Sequence, residues 1–205
     1  MRKSKKATRR ELLGMVAAGT ALSAASGERA VRAVALPRRE GGLKVRFLGT
    51  GAADWCGPRT SGEWRRFSSV LLDDCVLVDF RQPAAEMLPK GILPETVFYT
   101  HSHGDHYDPE GALKLGVKLV YVHESWVEGA RKEFAAVAAK LGITAPEVRA
   151  LAFGGTAEER GVRFTCVPAN HGTSRKGEHT AMYLVEKGDE RLLYATDTGG
   201  IMAEA

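Results

Sequence analysis

The segment Thr100-His101-Ser102-His103-Gly104-Asp105-His106 constrains this chain more than any other stretch. Three imidazoles and one carboxylate fall between residues 101 and 106, directly after the apolar run Thr96-Val97-Phe98-Tyr99, which reads as a buried strand. A neutral imidazole is a borderline-soft nitrogen ligand and a carboxylate a hard oxygen ligand, so the mixture suits a divalent ion such as Zn²⁺, Mn²⁺ or Fe²⁺. His101 and His103 can converge on one ion if the chain leaves the strand at that point. Asp105 and His106, in the following turn, then point toward a second position. That is the logic of a two-metal hydrolytic site, with ions about 3.5–4 Å apart.

The H-x-H-x-D-H pattern after a strand resembles the signature of the metallo-β-lactamase fold superfamily. The resemblance implies an α/β protein built as an αβ/βα sandwich. Two downstream residues match the same pattern. His171 follows the strand-like run 163–167 and Pro168, where the family has its third ligand to the first ion, and Asp197 follows the run 191–195, where the family has a bridging aspartate. The implied ligands are therefore His101, His103, Asp105, His106, His171 and Asp197, holding two divalent ions, Zn or Mn. Asp105 and Asp197 are the implied catalytic carboxylates, the first holding the second ion with His106, the second bridging and positioning a hydroxide. The family carries one further histidine beyond the bridging aspartate. This sequence ends at Ala205, eight residues past Asp197, and its six histidines are all placed before that. The expectation is a domain over 43–205 whose C-terminal part is missing, with one ion in the shortened form.

Charge separates the chain into two parts. Residues 1–40 hold ten Lys/Arg against three Asp/Glu, which leaves 19 against 22, or −3, for the rest. A groove tracking a phosphate backbone needs a basic stripe on the folded domain, and the acidic body argues against a nucleic-acid partner. The leader combines a charged start at Arg2–Lys6, the twin Arg9-Arg10, and a short, mildly apolar run from Leu12 to Ala25. That run is too short to span a bilayer, so no stable membrane anchor is expected. The pattern resembles a twin-arginine export signal, residues 1–35, with a small-x-small cleavage site at Ala33-Val34-Ala35 and a linker at 36–42. It implies the twin-arginine export machinery as a partner and a periplasmic or extracellular location.

Three cysteines, Cys56, Cys75 and Cys166, form no paired framework. Cys75 and Cys166 read as buried small hydrophobes within strands. Cys56 lies in the loop Trp55–Phe67, which carries two tryptophans and is either a substrate-facing lip or surface cover.

In chain order, 43–48 alternates as a half-buried strand and runs into the Gly49-Thr50-Gly51 turn. The run 66–72, the turn Asp73-Asp74 and the run 75–79 read as a hairpin ending at Asp79, a carboxylate that either orients a ligand histidine or lies exposed. Helices are expected over Pro83–Lys90, Pro109–Leu115 and Glu124–Leu141, the last closed by Gly142. Strands are expected over Gly116–Val122, Val148–Phe153, Arg163–Val167, Thr180–Val185 and Arg191–Ala195. His123 and His179 read as strand-end residues rather than ligands. The charged loop Ser174–Glu178 reads either as a holder of an acidic substrate group or as a solvated segment.

The function these readings imply is metal-dependent hydrolysis, a metal-bound hydroxide attacking a phosphodiester of a small molecule. The H-x-H-x-D-H form, the Gly49–Asp54 turn and the 66–72 hairpin resemble the phosphodiesterase branch of the superfamily. A lactonase or other ester hydrolase is the alternative within enzymes. A non-catalytic, exported metal-binding protein is the alternative outside them.

Overall fold

The computed structural model describes residues 41–51, 65–173 and 175–199. The leader 1–35, the linker through residue 40, Cys56 and the 55–64 part of the tryptophan-bearing loop lie outside the described residues.

Short runs buried at nearly every position build the centre of the first sheet. β1 (Val45–Gly49), β2 (Ser69–Leu72), β3 (Val76–Val78), β4 (Thr96–Phe98), β5 (Leu119–His123) and β6 (Glu147–Leu151) pair in that order. β1, β2 and β3 are antiparallel neighbours, whereas β3 through β6 run parallel. The hairpin between β2 and β3 turns on Asp73 and Asp74, with φ of 49° and 58°, the paired positive values that a tight type I′ turn requires. β7 (Thr156–Glu159), β8 (Val162–Pro168), β9 (Ala181–Lys187) and β10 (Glu190–Tyr194) make a second, antiparallel sheet in the order β10-β9-β8-β7.

Successive side chains of a strand face opposite ways, and here both faces of the first sheet are covered. Leu71, Leu77, Val97 and Tyr99 face the helices, packing with Ala112, Trp126 and Phe134. Val70, Leu72, Val76, Val78 and Phe98 face the second sheet, packing with Phe164, Tyr183 and Val185. Phe98 is the centre of the inter-sheet layer: it stacks on Phe164 at 4.0 Å and on Tyr121 at 4.3 Å and meets Tyr183 edge-on at 5.4 Å. Burying a ring of this size contributes about 1.5–3 kcal/mol. The order helix, sheet, sheet agrees with the expected sandwich.

The helices are a 3-10 segment (Gln82–Met87), α1 (Pro109–Leu115), and a 3-10 turn (Glu124–Trp126) that leads into α2 (Val127–Leu141). Asp108 caps α1 by accepting from the Gly111 N–H at 2.8 Å, and Pro109 occupies its first turn. Gly116, at φ 96°, ends α1 in the left-handed conformation, so the strand expected from Gly116 starts only at Leu119. The expected helix at Pro83–Lys90 is the 3-10 segment instead. β1 is not half-buried as its alternation suggests: it is the edge strand, Phe47 is 63 % exposed, and Leu48 is its buried residue. Cys75 lies in the hairpin turn rather than within a strand and is half-buried, whereas Cys166 is fully buried in β8. β7, a polar Thr-Ala-Glu-Glu edge strand, has no alternation to mark it. Among the described residues, no helix is long and apolar enough to cross a membrane.

Candidate metal centre

The parallel strands end where the histidine-rich segment begins. Beyond β4 the backbone stays tied on both sides: the Tyr99 N–H donates to the Tyr121 carbonyl and the Ala181 N–H to the Thr100 carbonyl, each at 2.9 Å. The chain then reverses in a turn closed by the His106 and Tyr107 N–H groups on the His103 carbonyl, at 3.0 and 2.9 Å. This reversal brings the His106 ring to 4.5 Å from the His101 ring.

Asp79, just past β3, is fully buried and adopts φ 49°. Its carboxylate accepts from the Thr100 N–H at 2.8 Å, from the Thr100 hydroxyl at 2.9 Å and from His106 Nδ1 at 2.8 Å. The reading of Asp79 as an exposed strand-end carboxylate is thereby corrected; the backbone turn after β3 folds it under the motif. These bonds also assign the tautomers. Because the Thr100 hydroxyl donates to Asp79, its oxygen accepts from His101 Nδ1 at 2.9 Å. His101 therefore carries its proton on Nδ1 and turns an Nε2 lone pair inward, while His106 donates its Nδ1–H to Asp79 and points its Nε2 inward.

Those inward nitrogens meet carboxylates and further imidazoles. His106 Nε2 lies 3.2 Å from Asp105 Oδ2 and 3.2 Å from Asp197 Oδ2. His171 Nε2 lies 3.2 Å from His103 Nδ1, and Asp197 Oδ2 is 3.7 Å from His101 Nε2 and 3.8 Å from His171 Nε2. Two overlapping groups result, each with ligand atoms all within 4.8 Å of one another: His101, His103, His171 and Asp197, and His101, Asp105 and His106. The second sheet supplies the last two members. His171 follows β8, fixed where the Thr180 hydroxyl donates to its carbonyl at 3.1 Å, and Asp197 follows β10 at φ 49°.

The electrostatics show what this arrangement accommodates. Burial pulls the His101 imidazole down to about 4, so it is neutral at physiological pH. Its Nε2 is buried with no hydrogen-bond partner, a costly state for a polar atom unless something positive meets it. Burial also opposes charge on His106, but Asp79 and Asp105 outweigh it and lift the imidazole to about 10. Burial acts to raise Asp105, and the hydrogen bond and charge of His106 overcome it, leaving the carboxyl at about 2. A proton on His106 and an orphaned lone pair on His101 thus mark a locus that calls for positive charge. Neutral imidazoles with carboxylates are a donor set that fits a divalent cation of the Zn or Mn kind.

Residues 70–205 match the family described as the Beta-lactamase superfamily domain. The chain belongs to the β-lactamase superfamily. It is also 30 % identical over 161 residues to a UPF0173 metal-dependent hydrolase from Thermofilum pendens, a match covering 76 % of this chain and 61 % of that protein. The chain thus spans about three fifths of the length of the curated relative it matches. Two solved structures share the superfamily fold at 17 % identity. The metallo-β-lactamase fold protein YhfI from Bacillus subtilis aligns with a TM-score of 0.56 over 75 % of this chain and 61 % of its own. Zn²⁺-bound PqqB from Methylobacterium extorquens aligns with a TM-score of 0.59 over 78 % of this chain and 67 % of its own.

In this superfamily member, all six residues singled out in the sequence, His101, His103, Asp105, His106, His171 and Asp197, come together at one point. His123 and His179 stand apart. His123 is 3 % exposed and accepts from the Ser125 N–H at its Nδ1, capping the 3-10 turn, while His179 is exposed and stacks beside it. Within the Arg175–Glu178 segment the structure divides the residues: Lys176 and Gly177 are exposed, whereas Arg175 and Glu178 are held by the protein's own groups. Glu178 accepts from Ser102, and Arg175 pairs with Glu133 of α2. Thr100, Ser102 and Glu178 are the supporting residues that sequence reasoning missed. Thr100 had a signal, its position immediately before the first histidine, whereas Glu178 had none.

Proposed function

We propose that the protein is a metal-dependent hydrolase that cleaves phosphodiesters of small molecules. The observation that carries this is the orphaned, neutral His101 Nε2 within a six-residue set of imidazoles and carboxylates. His101, His103, His171 and Asp197 would hold one divalent cation, and Asp105, His106 and Asp197 a second. A divalent cation bound there supplies the charge that acidifies a water and offsets negative charge growing on a phosphoryl or acyl oxygen. The chain's own residues set the rest. Asp79 and Thr100 hold the His106 and His101 rings with Nε2 inward. Asp105, an anion at neutral pH, and Asp197 flank the reaction locus, able to orient a water and receive its proton. The name of the Thermofilum pendens relative supports metal-dependent hydrolysis, and the pattern around Gly49–Asp54 and the β2–β3 hairpin supports the phosphodiester. Export through the twin-arginine route belongs to the same proposal, on the strength of the leader.

The test is hydrolysis of bis-p-nitrophenyl phosphate and of a lactone by the purified protein with Mn²⁺ or Zn²⁺. Phosphodiester turnover that EDTA abolishes is expected. Turnover of the lactone alone would move the function to ester hydrolysis. Metal binding without any hydrolysis would make the protein a non-catalytic metal binder.

A further inference from the structure

We infer that Glu178 is a positioning residue for the metal centre, acting through Ser102, an inference that rests on the metal-dependent reading above. Ser102 separates His101 from His103, so its backbone sets the angle between the two imidazoles that must converge. Glu178 grips it at two atoms: one carboxylate oxygen accepts from the Ser102 N–H at 2.7 Å and the other from its hydroxyl at 2.6 Å. The Glu178 side chain is 1 % exposed, so both contacts act away from water, where charge-assisted bonds are strongest.

The grip is anchored beyond the loop. Arg175 lies 3.7 Å from Glu178 and 2.9 Å from Glu133 on α2, and its guanidinium stands over the Tyr107 ring at 5.8 Å. Tyr107 directly follows His106, so the loop that leaves His171 touches the motif at both of its ends. The third histidine and the first two are thereby joined through side chains, not only through an ion: His171, the Arg175–Glu178 segment and the His101-Ser102-His103 backbone form one linked unit. A loop so connected fixes His103 Nδ1 opposite His171 Nε2 before any cation arrives. Pre-organisation of this kind raises affinity by removing the cost of ordering the ligands at binding.

The test is titration of the metal-free, full chain with Co²⁺, following visible absorption, for the native protein, Glu178→Ala, Glu178→Gln and Ser102→Ala. Glu178→Ala is expected to weaken Co²⁺ binding by about 10- to 100-fold and to alter the absorption band, as loss of a group supporting a ligand does. Glu178→Gln keeps one acceptor for the Ser102 N–H and is expected to recover most of the affinity. Ser102→Ala, a small change that spares the fold, is expected to lose part of it, and adding Glu178→Ala to it should cost no more than Glu178→Ala alone. Native affinity and an unchanged band in Glu178→Ala, or in Ser102→Ala should the former not fold, would overturn the positioning role and leave the metal site standing. Failure of the native protein to bind Co²⁺ would overturn the metal-dependent reading itself, and this inference with it.

Discussion

Asp79 shows how much a single side chain determines here. Replacing it with alanine strands the Thr100 N–H and the His106 Nδ1–H in the interior, and removal of one partner from a buried charged network costs about 3–5 kcal/mol. Urea unfolding of Asp79→Ala should show that loss. Asp79→Asn is more informative, since it fills the same space but can set an N–H against the His106 Nδ1–H. It should keep most of the stability and lower divalent-metal affinity by about 10- to 100-fold, measured by competition with a chelating dye. The two inward histidines also make the metal-free protein respond to pH in opposite directions. His101, held at about 4 against 6.5 for the ordinary imidazole, lets the unfolded chain bind more protons between those values, so stability falls as pH drops through that window. His106, raised to about 10, contributes stability that is complete below 6.5 and lost as pH rises through about 10. Denaturant midpoints measured in EDTA should therefore peak between these limits; a midpoint flat from pH 4 to pH 10 would contradict both assignments. The candidate ligands themselves were legible in the sequence because ligation demands particular atoms at a fixed spacing. Glu178 was not, because any acceptor delivered to Ser102 by any loop would serve, and nothing local distinguishes it from a solvated glutamate.

At the scale of elements, the site depends on how the strands end. Gly49 closes β1 where a side chain has no room: a Cβ built on it would lie 2.0 Å from the Phe67 carbonyl oxygen and 2.5 Å from that of Arg66. The Gly-Thr-Gly turn is thus a place of close backbone approach at Gly49 rather than only a sharp bend, and β1 pairs with β2 through an irregular register there. Gly49→Ala must push backbone atoms apart, and a loss of about 2 kcal/mol or more is expected by thermal unfolding, at the upper part of the range for overpacking. Strand and helix positions were readable wherever burial enforced a period, as in β8 and α2. They were unreadable where it did not. β1 carries an alternating pattern yet lies at the sheet edge, and β7 is polar except for Ala157 yet is held by its pairing with β8.

For the molecule as a whole, two sheets must hold one register for two sets of candidate ligands to meet. The first sheet and its loop carry His101, His103, Asp105 and His106, and the second delivers His171 and Asp197. Besides the packing around Phe98 and the Glu178 contacts with Ser102, direct bonds that cross the layer near the site include the Ala181 N–H to the Thr100 carbonyl and the Tyr183 hydroxyl to the Tyr99 carbonyl, both at 2.9 Å. Tyr183→Phe removes the second with little change of volume and should cost about 1 kcal/mol, read as a lower urea midpoint with unchanged slope. The layered α/β architecture was legible through the motif's resemblance to the superfamily, but this cross-layer registration arises from contacts between residues 84 positions apart, which no local pattern encodes. The most direct measurement is a calorimetric titration of the metal-free protein with Zn²⁺, run beside His103→Ala and His171→Ala, one substitution from each half of the site. If the two layers build one centre, the native protein binds Zn²⁺ and either substitution weakens that binding by at least about tenfold. Binding by both variants with native affinity would contradict it.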